Sequence, residues 1–158
     1  MNLRILLLAA IAFSSGCASL PAERGVVTSP ESFGVPPGSA KVVITRNTDA
    51  LYMGVKARVT INEKMVAELW RGESYAGAFA PGKLTISVDV WSAPKHTVVQ
   101  LNAAADTEYA LEIVPNSGNT GSGALAAGLF GVVGAIVHEE TRETGPFSIV
   151  PKSAKTMR

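Results

Sequence analysis

Between Ala40 and Val114 the apolar residues recur at every second position, and that alternation limits what the chain can become. The clearest run sets Leu84, Ile86, Val88 and Val90 against Lys83, Thr85, Ser87 and Asp89. Successive side chains of a strand point to opposite faces, so a period of two makes a strand with one face buried and one wet. The same reading places strands on Val42 and Ile44, on Ala57, Val59 and Ile61, on Met65, Ala67 and Leu69, on Thr97, Val99 and Leu101, and on Tyr109, Leu111 and Ile113. A weaker strand covers Tyr75 to Phe79, and Phe147 with Ile149 supplies a short last one. The short turn at Asn62-Glu63-Lys64 joins two strands as a hairpin, and Pro81-Gly82 ends the strand before it. Seven to eight short strands at this spacing predict a mainly β chain, an immunoglobulin-like β-sandwich in architecture. Cys17 is the only cysteine, so no disulfide joins the sheets and the fold must stand on packing.

The N-terminus predicts where this sandwich works. Arg4 precedes nine apolar residues, Ile5 to Phe13. A basic tip before an apolar core of this length describes a secretory signal, too short to span a bilayer. Phe13-Ser14-Ser15-Gly16-Cys17-Ala18 then resembles the lipobox of bacterial lipoproteins, which implies cleavage before Cys17 and acylation of its thiol and new amine. One acyl chain anchors marginally, whereas two or more hold a protein to its membrane. No aspartate follows the cysteine (Ala18 and Ser19 do), which by the same resemblance implies the outer membrane, facing the periplasm. Residues 18–39 are rich in Pro, Gly and Ser, with Pro21, Pro30, Pro36 and Pro37. Such a composition reads as a tether, with an end-to-end distance of roughly 25 Å as a coil. The expected organisation is a signal over 1–16, the lipidated cysteine and tether over 17–39, a sandwich over 40–151 and a tail over 152–158.

Charge excludes one class of partner. The chain carries 14 Lys and Arg against 13 Asp and Glu, a net +1, with no basic cluster. Nothing here attracts a polyanion over distance, so nucleic acid is set aside.

Two stretches carry a family resemblance. Ala57-Arg-Val-Thr-Ile-Asn-Glu-Lys-Met-Val-Ala-Glu-Leu, then Gly72, then Phe79-Ala-Pro-Gly-Lys-Leu-Thr-Ile-Ser-Val resemble the PEGA-type sandwich domain. They are also similar to the bacterial lipoproteins grouped as domain-of-unknown-function family 2846. The resemblance covers roughly residues 40–114 and implies a sandwich; it brings no catalytic residues. Where the family often has Asp-Gly in the hairpin, this chain has Asn62-Glu63.

An apolar insertion, 118–140, interrupts the strand pattern before the last strand. From Gly123 to Val137 no residue is charged or strongly polar. As a helix this stretch would be about 22 Å long, short of the roughly 30 Å of a bilayer core. Gly128, Gly131 and Gly134 give it small residues at close spacing, which let helices approach one another. Three readings stand: a glycine-rich helix packed on the sandwich, a glycine-zipper segment buried in the membrane or in a second copy, and a disordered insertion. Under the second, Gly128, Phe130, Gly131 and Gly134 are the contact residues.

Candidate chemistry is sparse. Gly121-Ser-Gly-Ala-Leu-Ala126 matches a dinucleotide fingerprint in form, but too few residues follow it for the parallel sheet that a cofactor would need. His96 lies on the polar register of its strand, and His138 ends the apolar stretch; neither has a second ligand at a metal spacing. Glu68 and Glu73 flank a turn, an ordinary place for exposed carboxylates. No cofactor, metal or catalytic residue is therefore expected. Trp70 and Trp91 stand at strand ends on the polar register, either as rim-packing aromatics or as a shallow surface for a sugar or a peptide. The sequence thus predicts a non-catalytic, lipid-anchored protein that binds or scaffolds another envelope component. The alternative is a membrane-active or self-associating protein acting through residues 121–137. Its partners are then the membrane, through Cys17, and an envelope protein or a second copy of the chain.

Overall fold

Alternation becomes two sheets in the computed structural model, which describes residues 33–116, 136–137 and 145–157. The strands are β1 (Ala40–Arg46), β2 (Ala57–Ile61), β3 (Lys64–Leu69), β4 (Ser74–Phe79), β5 (Gly82–Asp89), β6 (Thr97–Ala103), β7 (Thr107–Pro115), β8 (Ile136–Val137) and β9 (Phe147–Thr156). One sheet has the order β4-β1-β7-β9, the other β3-β2-β5-β6 with the two-residue β8 at its end. All pairs are antiparallel except β1 with β7. That parallel pair forms because the chain passes through the second sheet between its two members, the long connection that parallel pairing needs. The mainly β expectation therefore holds as two sheets.

The inward sets enclose one core. Val42 and Ile44 of β1, Val59 and Ile61 of β2, Ile86 and Val88 of β5, Leu101 of β6, and Leu111 and Ile113 of β7 are all buried together. Each such side chain contributes about 1.5–3 kcal/mol on leaving water. Gly77 of β4 is required by this packing: a Cβ there would overlap the Tyr75 ring and lie 2.9 Å from Phe79 Cε2.

The hairpin turn is tight, and both of its residues, Asn62 and Glu63, have positive φ (48° and 65°). Positive φ at both centres is the type I′ arrangement, whose twist matches the strands. Asn62 also fastens the hairpin to β5. Its backbone N–H donates to Thr85 O at 2.8 Å, and its Oδ1 accepts from Thr85 N at 2.9 Å.

Three expectations change. Met65 was expected inside, yet it is exposed while Val66 and Ala67 are both buried. The register slips between Val59 and Thr60, which pair with Ala67 and Met65, so Val66 is an extra residue and the alternation shifts at the bulge. Second, β9 continues to Thr156 through the residues expected as a tail. Pro151 does not end the strand, because it sits on an edge strand beside a register shift, where proline is tolerated. Third, a helix over the apolar insertion was expected to reach Val137, whereas Ile136 and Val137 pair as strand with Leu101 and Gln100. No helix occurs among the described residues, and the rest of the insertion lies outside them.

Strand directions give the sandwich two poles. The chain enters β1 at Ala40, and β9 ends near the same pole, where Thr156 pairs with Thr107. Asp106 (φ 51°) ties both ends there: its Oδ1 accepts from Gly38 N at 2.7 Å, and its carbonyl accepts from Met157 N at 2.7 Å. At the opposite pole lie the end of β1 at Arg46, the connection 47–56, the β3–β4 turn and the end of β5.

Candidate functional site

At the far pole the inward register of β1 runs Val42, Ile44, Arg46, so strand geometry drives a cation into the core. Arg46 is only 1% exposed, the most deeply buried charged residue among those described. It is held by backbone carbonyls. Its Nη2 donates to Tyr52 O at 2.7 Å, its Nη1 to Leu69 O at 3.0 Å, and Nη1 also donates to Val55 O. The guanidinium carbon lies 4.8 Å from the centre of the Phe147 ring, a cation–π contact strengthened by the lack of water. Burial, reinforced by the charge of Arg71, lowers its pKa from the ordinary arginine value.

Those bonds shape the connection 47–56. Asp49 Oδ1 accepts from Leu51 N at 2.9 Å, and Tyr52 (φ 59°) packs edge-on against Phe147 at 5.5 Å. The loop so pinned turns Leu51 and Met53 outward. The β3–β4 turn is held by the same residue, since Arg46 O accepts from Gly72 N at 2.9 Å and Arg46 N donates to Glu73 O at 2.9 Å. Gly72 has φ +76°, a conformation open to glycine at little cost. Within the turn the Glu73 carboxylate accepts from Trp70 N at 2.7 Å, which fixes where Trp70 leaves the sheet.

The outward face of β3, β2 and β5 carries an ordered set at this pole. Register places Glu68 opposite Arg58, and Arg58 opposite Asp89. Arg58 Nε donates to Asp89 Oδ1 at 2.7 Å. Beyond these pairs, Lys56 precedes β2, Trp70 follows β3 and Trp91 lies in the turn after β5, and one cleft brings the three together. Lys56 Nζ lies 5.5 Å from the centre of the Trp70 ring and 3.4 Å from Glu68 Oε2. β3 and β5, which the two tryptophans follow, lie two strand spacings apart, about 10 Å. Between them opens a cleft of about 290 Å³, lined by Gly54, Val55, Lys56, Arg58, Glu68, Trp70 and Trp91. Trp91 is 79% exposed, and Trp70, with Lys56 over its ring, is 44% exposed.

The structure thus brings Trp70 and Trp91 into one cleft. Glu68 joins them, whereas Glu73 spends its carboxylate on the turn, so the two acids do not act as a pair. His96 is exposed. Cys17, Gly128, Phe130, Gly131, Gly134 and His138 lie outside the described residues. No group of three potential metal-ligating side chains occurs among the described residues, and no described helix is long and apolar enough to cross a membrane. Sequence reasoning missed Lys56, Arg58 and Arg46. A buried arginine on an apolar register before a polar connection was the available signal. Comparison with protein-family models, curated proteins and solved structures finds no match for this chain.

Chemically, the cleft offers two indole faces and two cation–carboxylate contacts whose charges sum to zero. Its one lining acid, Glu68, is engaged by Lys56, and Arg58 is engaged by Asp89 outside the lining. Replacing Arg46 by Met keeps most of the buried volume but removes the donors to three carbonyls. The variant is expected to lose about 3 kcal/mol in urea unfolding, and Arg46→Lys to recover only part of it, because an ammonium cannot reproduce the planar fork. Arg46→Met as stable as the parent would show that the carbonyls find other partners.

Proposed function

We propose that this chain is a lipid-anchored envelope protein whose β-sandwich, without catalysis, binds or scaffolds another envelope component. The observation that carries this reading is the Trp70–Lys56–Trp91 row at the pole opposite the entry of the chain into β1. A tether acylated at Cys17 joins the sandwich at the near pole, so the cleft lies at the pole remote from the point of attachment and the tether leaves it free to reach a partner. The resemblance to lipoproteins at Phe13 to Ala18, and to PEGA-type domains over 40–114, supports the same reading and the outer-membrane, periplasm-facing location. Large aromatic side chains at an open surface, here just past the ends of β3 and β5, are the usual anchors of recognition sites.

Two measurements check it. Metabolic labelling with palmitate is expected to mark the parent chain and to be lost in Cys17→Ala; an unlabelled parent chain would remove the anchor. Photo-crosslinking in the living cell from a probe at Trp91 is expected to capture an envelope component that a probe at Glu63, on the near-pole hairpin, does not. Equal capture from both positions, or none from Trp91, would contradict a recognition site at the far pole.

A further inference from the structure

Resting on the reading of the cleft as a recognition site, we infer that its ligand is a neutral β-1,4-linked glycan chain, laid across β3, β2 and β5 with one sugar ring on Trp70 and another on Trp91.

Charge narrows the ligand first. Lys56 and Arg58 are matched by Glu68 and Asp89, at 3.4 Å and 2.7 Å in the two contacts formed. A charged ligand would have to break one of these contacts and would gain no net field in return. A cation would in addition meet Lys56, which already lies against the Trp70 ring. A neutral ligand keeps both pairs, and the pairs hold donors and acceptors in fixed positions for hydroxyl groups.

Shape narrows it further. Trp91 offers an open indole and Trp70 the face that Lys56 does not cover, and the floor between them is polar. A pyranose ring matches both, with C–H bonds on its faces and hydroxyls at its edge. The cleft, about 290 Å³, is at the lower limit of ligand pockets and open, so it holds a unit of a longer chain. The ends of β3 and β5, which Trp70 and Trp91 follow, are two strand spacings apart, about 10 Å. In an extended β-1,4-linked chain every second ring presents the same face, and that repeat is of the same length. Successive rings would then lie over Trp70, Lys56 and Trp91.

An extended peptide fits less well. Peptides add to sheet edges by pairing backbone with backbone. The edge strand beside the cleft is β3, and its bulge at Val66–Ala67 bends the edge out of register for such pairing.

The chain contains two tryptophans, both in the cleft, so its indole emission reports on this site alone. The test titrates the full chain, in a detergent without a sugar headgroup, with chitohexaose, cellohexaose and the curved α-linked maltohexaose. A saturable shift in emission with chitohexaose or cellohexaose is expected, unchanged between about 50 and about 500 mM salt because no charge is exchanged. Affinity should rise steeply from chitobiose to chitotriose, the first length that reaches both indoles. Trp91→Ala should weaken chitohexaose binding about tenfold, read from the remaining Trp70 emission. No shift with either β-linked chain, a preference for maltohexaose, or affinity independent of length beyond one ring would overturn the inference. If a Trp91 probe still captures an envelope protein in cells, recognition at the cleft survives and only the glycan fails. If neither experiment finds a ligand, both fail.

Discussion

Arg46 is a cation withdrawn from water by the strand that carries it, and the far pole is arranged around what that requires. A buried charge costs several kcal/mol unless hydrogen bonds replace its hydration. No salt bridge to Arg46 forms among the described residues, so three backbone carbonyls and the face of Phe147 do the work. Two of the carbonyls, those of Tyr52 and Val55, come from the connection, and the third, that of Leu69, from the end of β3. The guanidinium therefore joins the two sheets and folds the connection back on them. Its own backbone closes the β3–β4 turn that presents Trp70. One desolvated side chain thus sets two of the walls of the cleft.

The outward face of the first sheet handles charge differently. Lys41, Glu108 and Lys155 form a cross-strand ladder over β1, β7 and β9, with Nζ to carboxylate distances of 3.1 and 3.0 Å. Burial raises the pKa of Glu108, but hydrogen bonds and charge from Lys155 and Lys41 outweigh it and hold the carboxyl below its ordinary value. Its stabilisation is present above the unfolded pKa and is lost as pH falls through the folded one. This ladder lies towards the near pole, beside the Asp106 clasp that holds both ends of the described domain. One pole fixes the chain, and the other displays a surface.

Much of this was legible in the alternation. Leu84 to Asp89 and Tyr109 to Ile113 point as their period of two requires, because both strands lie inside their sheets and carry no extra residue on the core side. The β3 reading failed at Val66, since a bulge leaves no mark in a list of apolar residues. The β9 reading stopped at Ile149, yet the strand runs on through Pro151, where an edge position makes proline harmless. Trp70 and Trp91 could be placed on an outward register from sequence, but their meeting depends on β2 pairing with both β3 and β5. The β2–β3 half is the hairpin that local pattern shows; the β2–β5 half is non-local, leaves no trace there, and brings Trp91 to the cleft with Lys56 and Arg58. Arg46 was legible as an arginine on a core register, yet its carbonyl partners become visible only once the chain is folded.

The central claim is that Arg46 holds the cleft-forming connection in place, and amide hydrogen exchange tests it most directly. Met53 N–H and Val55 N–H donate to Ala50 O and Tyr52 O within that connection. The account predicts measurable protection at both amides in the parent chain. In Arg46→Met that protection should fall to the level of an open loop, while the amides of β5 and β6 stay protected. Unprotected loop amides in the parent chain, or loop protection unchanged in Arg46→Met, would contradict it.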